Sequence, residues 1–385
     1  MSPTPRPRIP VGVLGATGTV GQRFLSLLAD HPWFRVVAVT GSDRTVGKRY
    51  GEAVQWILPG DVPAEAAALT VLPTAPDLAG ADGKEIPLLF SALGSDVAGP
   101  AEAELRDAGY FVVSNAGSHR MDHDVPLVVP EVNGDHLEIL RGRKGRGAIA
   151  TNPNCSTIGL VLALRPLHDR FGIEAVNVVT LQAVSGAGLP GVASLQILDN
   201  VIPYIPSEEE KIESETCRIL GRLGGAGGGP GIEPAPIAIS AQCNRVPVLD
   251  GHTECVSVRL RDSAAPAQAA AALRELDPPG TRDLPSAPRP PIVVVEAADR
   301  PQPRLDRGRG RGMAVTVGRI RPCPVLDLRF VLLSHNTLRG AAGGALLVAE
   351  QAVAAGLVEG VVSPVGQAVG GQLLQARGLK PRKSS

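Results

Sequence analysis

The sequence predicts an α/β protein: a doubly wound parallel sheet joined to a second domain. Three observations predict it. The chain has 385 residues, more than one ordinary core holds, so two domains are expected. An apolar run, Ile9–Leu14, leads into Gly15-Ala-Thr-Gly18-Thr-Val-Gly21, and Phe24, Leu25, Leu27 and Leu28 follow at helical spacing. Further apolar runs recur at 34–40, 86–93 and 110–117, with the helical stretch PAEAELRDAG before the last. Repeated strand–loop–helix units of this kind build a Rossmann-type sheet.

The glycine turn is the first element with a chemical meaning. G-x-x-G-x-x-G between a strand and a helix is a variant of the dinucleotide fingerprint. Its glycines let a pyrophosphate approach the backbone at a helix N-terminus. Gly15, Thr17, Gly18, Thr19 and Val20 are the expected contacts. The tip of the second strand reads Thr40-Gly41-Ser42-Asp43-Arg44. NAD-binding sheets place an acid there for the ribose hydroxyls. Ser42 and Arg44 suit a 2′-phosphate instead, which points to NADP, although Asp43 lies between them. Ser91, Ala92 and Leu93 end a later strand and Asn115 ends the next. Ligands bind beyond the carboxyl ends of such strands, so these residues are expected to line the cofactor cleft.

Composition excludes other classes. Lysine plus arginine number 38 and aspartate plus glutamate also 38, and only 3% of residues are aromatic. A neutral chain with few stacking platforms is a poor nucleic-acid binder. No run of 18 apolar residues occurs and no signal peptide is read at the N-terminus, so no membrane span and a cytoplasmic protein are expected. The five cysteines are widely spaced without a C-x-x-C pair. That argues against a disulfide framework or a metal site.

Cys155 sits in TNPNCSTIGLVLAL, between a polar loop and a helix apolar nearly all round. At a helix N-terminus the free N–H groups and the macrodipole lower a thiol's pKa and can hold an oxyanion, so Cys155 is a sensible nucleophile. Taken alone, a buried structural thiol fits it better. Gln182 precedes the turn Ser185-Gly186-Ala187-Gly188. Arg245 stands seven residues before His252, which opens a strand. Ser207 and Glu210 read as a capping box on a helix, and Glu208 to Glu210 as acids favoured by its dipole.

Several motifs, in order, carry a resemblance that spacing alone does not. GATGTVGQRF, GSDRTVGKRYGEAVQW, SNAGSHRMDHDVPLVVPEVN, TNPNCSTIGL, LQAVSGAG, NVIPYIPSEEEKIESET, NRVPVLDGHTECVSV and LSHNTLRGAAGGALL span nearly the whole chain. Together they resemble the aspartate-β-semialdehyde dehydrogenase family, in its archaeal and fungal branch. The resemblance implies that Cys155 is the nucleophile, His252 the acid/base group and Gln182 the residue orienting the acyl intermediate. It implies that Arg245 grips the substrate α-carboxylate. Glu208 and Lys211, as E-x-x-K, would hold the amino group and assist phosphate. Arg120 would be the main phosphate ligand, Asn154 would lie at the oxyanion, and Asn336 would lie near the nicotinamide, with Ser185 and Gly188 also at the cofactor.

The implied reaction is NADPH-dependent reductive dephosphorylation of L-aspartyl-4-phosphate through a cysteine thioester. Its product serves lysine, threonine and methionine biosynthesis. The implied architecture is an NADP domain of residues 1–153 plus 336–385, and an α+β catalytic and dimerisation domain of 154–335. A homodimer or homotetramer follows from the family. Malonyl-CoA reductase, N-acetyl-γ-glutamyl-phosphate reductase and a non-catalytic nucleotide-binding regulator are the alternatives. Three further expectations concern regions rich in helix breakers. GRLGGAGGGPGIEP reads as a surface loop, DRGRGRGMAV as a mobile segment, and 340–357 as a helix returning to the cofactor domain.

Overall fold

The computed structural model describes residues 7–361, apart from 82, 84 and 225–230. Six strands form the first sheet: β1 (Ile9–Leu14), β2 (Phe34–Thr40), β3 (Val71–Leu72), β4 (Leu88–Ser91), β5 (Phe111–Ser114) and β6 (Ala148–Thr151). Their order is β3-β2-β1-β4-β5-β6, and every pairing is parallel. The order reverses between β1 and β4, which opens a crevice at their carboxyl ends. β4, β5 and β6 are buried at every residue, because helices cover both faces of the sheet. α1 (Thr19–Leu28) lies against one of those faces, burying Phe24, Leu25 and Leu28. α2 (Ser95–Asp107) fills the connection between β4 and β5.

The second sheet is mixed, as an α+β domain requires. Its order is β10-β7-β11-β14-β13-β12. The strands are β7 (Ile173–Gln182), β10 (Ala238–Arg245), β11 (His252–Leu260), β12 (Ile292–Val295), β13 (Val315–Pro322) and β14 (Leu328–Ser334). Alternate residues of β7 and β11 are buried, so one face of the sheet is packed. α3 (Thr157–Phe171), α4 (Glu208–Ile219) and α5 (Pro266–Arg274) supply that packing. Val161, Leu164, Ile212, Ile219, Ala269 and Leu273 share one core with Val178, Val256 and Leu332. Ile158 through Leu164 is buried throughout, matching the all-round apolar reading of α3.

After β14 the chain returns to the first sheet. Residues Leu338–Ala342 form a π turn, and α6 (Gly343–Ala354) follows. Ala345, Val348, Ala349 and Ala352 pack in one core with Val11, Val13 and Phe24. Residues 362–385, the rest of the expected return, lie outside the described residues. Among the described residues no helix is long and apolar enough to cross a membrane.

Two local expectations are corrected. Ser207 is left-handed (φ 59°) and its side chain caps nothing, so the capping box does not form. DRGRGRGMAV is anchored rather than mobile. Buried Asp306 accepts the Arg300 fork, the Gln302 N–H at 2.8 Å and Arg309 Nε at 2.8 Å. Met313, Ala314 and Val315 are buried behind it. A run of arginine and glycine hides a single acid that gathers one arginine of the run, Arg309, and Arg300 from before it. The glycine-rich loop is flanked by a short hairpin, β8 (Arg222–Leu223) with β9 (Ile232–Glu233); 225–230 lies outside the described residues.

Candidate active site

The glycine turn stands at the crevice between β1 and β4. Gly15 has φ +66°, and its N–H donates to Thr40 Oγ1 at 3.2 Å. A Cβ on Gly15 would lie 2.8 Å from Ala92 O, and one on Gly21 would lie 2.4 Å from Gly15 O. Those two glycines are needed by the fold itself. Gly18 is different: a Cβ there would meet only Gly15 O, at 3.5 Å. The space over Gly18 therefore faces out of the protein, where the fingerprint leaves room for a pyrophosphate. Gly18→Ala is expected to fold normally and to raise the KM for NADP about tenfold, since the methyl group takes the backbone approach away. Steady-state kinetics beside a melting curve checks this; an unchanged KM would contradict it.

Buried Gln22 braces the turn, giving Nε2 to Thr17 O and Gln55 O and taking the Ile57 N–H. Tyr50 does the same from its hydroxyl to Ala16 O at 2.9 Å. Thr17 and Val20 are half-buried, while Ser42 and Arg44 are exposed at the tip of β2. Ala92 and Leu93 are half-buried at the crevice. Ser91 is not: it is fully buried at the end of β4. Its carbonyl accepts the Asn115 N–H at 3.2 Å and Asn115 Nδ2 at 3.3 Å. A cleft of about 340 Å³ opens beside α1, lined by Thr19, Val184, Ser185, Gly188 and Leu189 among others. Ser185 and Gly188, expected at the cofactor, thus line a cleft that reaches the first residue of α1.

The catalytic candidates meet because of strand register. Gln182 and Arg245 end the parallel neighbours β7 and β10 and stand opposite one another. His252 begins antiparallel β11 and pairs with Ser334, the last residue of β14. All four strand ends lie along one edge of the sheet. The N-terminus of α3 faces that edge and carries Cys155. Asn154 Oδ1 accepts the N–H groups of Ser156 (2.9 Å) and Thr157 (3.3 Å), so Asn154 supplies the cap there.

Cys155 Sγ lies 3.2 Å from His252 Nε2. The Ala183 N–H donates to His252 Nδ1 at 3.0 Å. Nδ1 must therefore be unprotonated, and the neutral ring carries its proton on Nε2, facing the sulfur. Gly340, in the π turn, packs against the cysteine: a Cβ there would fall 2.7 Å from Cys155 Cβ. Burial pushes the Cys155 thiol up to about 12; nearby Glu208 adds to this, and Arg245 and Arg120 oppose it. Burial likewise lowers His252 to about 3, helped by Arg245 and His335. The resting pair is thus a neutral thiol and a neutral imidazole. This corrects the expectation of a thiol activated by its helix end alone, because burial and the Glu208 charge outweigh the dipole.

The polar residues around the sulfur form one network. Glu208 Oε2 accepts Asn154 Nδ2 (2.8 Å) and Gln182 Nε2 (3.2 Å), and Oε1 faces Lys211 Nζ at 3.4 Å. Arg245 Nη1 donates to Ala183 O at 2.9 Å. Arg120 donates to Asn115 O at 2.7 Å and to Glu215 Oε1 at 2.8 Å. Asn336 gives Nδ2 to Ser185 Oγ and takes the Gly251 N–H, both at 2.8 Å, so it joins the cofactor cleft to the histidine strand. Glu209 points elsewhere and accepts the Cys243 N–H on the edge strand β10.

Sequence reasoning missed two parts of this network. Glu215 is 2% exposed and is not among the residues expected at the site. Its signal was spacing: seven residues after Glu208 is two helical turns, hence the same face. The π turn was the other. Buried Arg339 anchors it with a two-pronged pair to Glu131, both contacts at 2.6 Å.

Fold and site together describe a two-domain dehydrogenase with a cysteine beside its cofactor cleft. The semialdehyde dehydrogenase NAD binding domain family matches residues 10–140, and the semialdehyde dehydrogenase dimerisation domain family matches residues 164–339. The chain belongs to the semialdehyde dehydrogenase family. Among curated proteins it is 49% identical to the aspartate-semialdehyde dehydrogenase of Archaeoglobus fulgidus, over 89% of this chain and 97% of that protein. It is 46% identical to the aspartate-semialdehyde dehydrogenase of Saccharomyces cerevisiae, over 90% and 98%. Among solved structures it resembles aspartate semialdehyde dehydrogenase with NADP from Candida albicans, with TM-score 0.84 and 43% identity, covering 91% of this chain and 100% of that one. Aspartate semialdehyde dehydrogenase II from Vibrio cholerae, complexed with ASA, matches at TM-score 0.70 and 27% identity, covering 90% and 98%.

Proposed function

We propose that this protein is an NADP-dependent aspartate-semialdehyde dehydrogenase, reducing L-aspartyl-4-phosphate to L-aspartate-4-semialdehyde with release of phosphate, in amino-acid biosynthesis. The observation that carries the reading is the Cys155–His252 contact at 3.2 Å, on the sheet edge where Arg120, Glu208 and Arg245 converge. An acyl phosphate bearing an amino group and a carboxylate needs that set: an anion site, an acid and a second cation around a nucleophile.

Cys155 gives its thiol proton to the departing phosphate as Sγ attacks the acyl carbon, and the phosphate leaves toward Arg120 and Lys211, forming a thioester. The substrate ammonium at Glu208 neutralises the carboxylate that holds the thiol up, so binding favours the thiolate. Gln182 orients the acyl group and Arg245 the α-carboxylate. Bound NADPH supplies the hydride that takes the thioester to the aldehyde level. His252 Nε2–H donates to the oxyanion that develops on the former carbonyl oxygen. When the C–S bond breaks, the same N–H stabilises the returning thiolate, which takes a proton from water to restore the resting thiol. Ser42 and Arg44 would select the 2′-phosphate. Residues 1–153 with 336–385 serve the cofactor, and 154–335 serve the chemistry and a homodimer, in the cytoplasm.

NADP reduction with aspartate semialdehyde and inorganic phosphate tests the reading. Turnover of malonyl-CoA in place of aspartate semialdehyde would replace it with malonyl-CoA reductase. Glu208→Gln keeps shape but removes the charge that the ammonium needs. It is expected to lower kcat/KM for aspartate semialdehyde about 100-fold, the scale of a lost charged hydrogen bond, about 3 kcal/mol. Glu209→Gln is expected to change kcat/KM less than about threefold, since its partner is a strand amide outside the site. Equal effects would contradict the assignment.

A further inference from the structure

We propose that Glu215 is a positioning residue that sets the phosphate-binding arginine and the nucleophile loop in one register. Its two oxygens go to two different chain segments. Oε1 accepts Arg120 Nη1 at 2.8 Å, in the loop after β5. Oε2 accepts the backbone N–H of Asn154 at 2.7 Å, one residue before Cys155. Glu215 itself comes from α4, in the second domain. One carboxylate, 2% exposed, therefore reaches from α4 to both loops that follow the paired strands β5 and β6.

A second acid of α4 works on the same loop. Glu208, two turns earlier, holds the Asn154 side chain at 2.8 Å while Glu215 holds its main chain. Asn154 is thus clamped at both ends before it caps α3. Arg120 is clamped too, with its second nitrogen on Asn115 O at 2.7 Å. What this leaves is informative. Arg120 Nε is buried and has no partner among the described residues. A buried guanidinium N–H without an acceptor costs free energy unless an anion arrives. Held by Glu215 and Asn115 O, the guanidinium is fixed in place. Its charge reaches the sulfur as well, favouring the thiolate. A leaving phosphate placed by Arg120 and a thiol placed by Asn154 then keep a constant separation. Alignment of that kind is costly to lose.

The proposal rests on the phosphate-releasing reading above, and its test separates the two. Turnover of aspartate semialdehyde with inorganic phosphate and NADP by the native protein tests the reading. Glu215→Gln tests the proposal, because the amide offers a donor where a second acceptor is needed. The KM for phosphate is expected to rise about tenfold or more and kcat to fall, with the KM for aspartate semialdehyde within about twofold. Glu215→Asp, which keeps the charge, should recover part of the loss and takes over the comparison if the glutamine variant does not fold. In an Arg120→Ala background Glu215→Gln should add no further rise in phosphate KM, since coupled residues are not additive. Stabilisation of the native protein by inorganic phosphate in a melting curve, lost in Glu215→Gln, reads the same coupling without turnover. A phosphate KM that is unchanged or falls, effects that multiply fully with Arg120→Ala, or a uniform rise in every KM would each overturn the proposal.

Discussion

Cys155→Ala is expected to lose turnover by about 10⁴-fold or more, with NADP binding kept. Removing a nucleophile eliminates the covalent route altogether, and only binding and alignment remain. The methyl group of alanine fills most of the space against Gly340, so the π turn need not move. Cys255 and Cys323 are the proper controls, lying away from the site, and each alanine variant should keep most activity. The pH dependence of alkylation supplies a second reading of the same thiol. A raised thiol pKa leaves little thiolate at neutral pH. Carbamidomethylation of Cys155 in the free protein should therefore climb with pH, without a plateau below about pH 10. Cys323, lowered by backbone N–H groups led by that of Leu326, should react first, so the labelling must be resolved by peptide. A plateau for Cys155 near neutrality would mean a resting thiolate and would contradict the neutral pair. Activity in Cys155→Ala would remove the thioester route.

Arg339→Met should be nearly as damaging to stability as Cys155→Ala is to rate. Arg339 is 0% exposed and Glu131 5%, and their carboxylate–guanidinium fork is closed on both sides. Removing one partner leaves a charge buried and unpaired, which costs about 3–5 kcal/mol. The loss should appear as a lower urea midpoint with an unchanged slope. Replacing both, as Arg339→Met with Glu131→Leu, removes the stranded charge and should recover most of the loss. A double variant no more stable than the single one would show that the pair is not the cause. The catalytic consequence is local. The fork holds the turn that sets Gly340 against Cys155, and Asn152 Nδ2 reaches Gly340 O at 3.3 Å from the other side. The single variant should therefore lose activity before it unfolds.

The first sheet was legible because a parallel strand buried on both faces reads as a plain apolar run, and Gly15 and Gly21 of the turn are sterically forced. The second domain was legible only through linked motifs. Gln182, Arg245 and His252 are far apart in sequence, and nothing in their spacing says that β7, β10 and β11 end at one edge. That depends on strand order, a tertiary property. Ser207 misled because a serine before a glutamate run looks like a cap, while the backbone there is left-handed. Asp306 and Glu215 misled in the other sense. Both are acids in charged stretches, and burial, which gives Asp306 three partners and Glu215 two, leaves no local pattern. The thiol's direction was unreadable for the same reason: helix-end effects are local, whereas desolvation and the Glu208 charge come from the packed site.

The central claim is that Cys155 carries the acyl group. Without phosphate, the protein given aspartate semialdehyde and NADP has no second acceptor other than water, so the acyl-enzyme should accumulate. Peptide mass spectrometry after acid quench reads it directly. The account predicts one aspartyl group on the peptide containing Cys155, discharged when inorganic phosphate is added before the quench. NADP reduction with phosphate but no acyl group on Cys155 in its absence, or an acyl group on another residue, would contradict it.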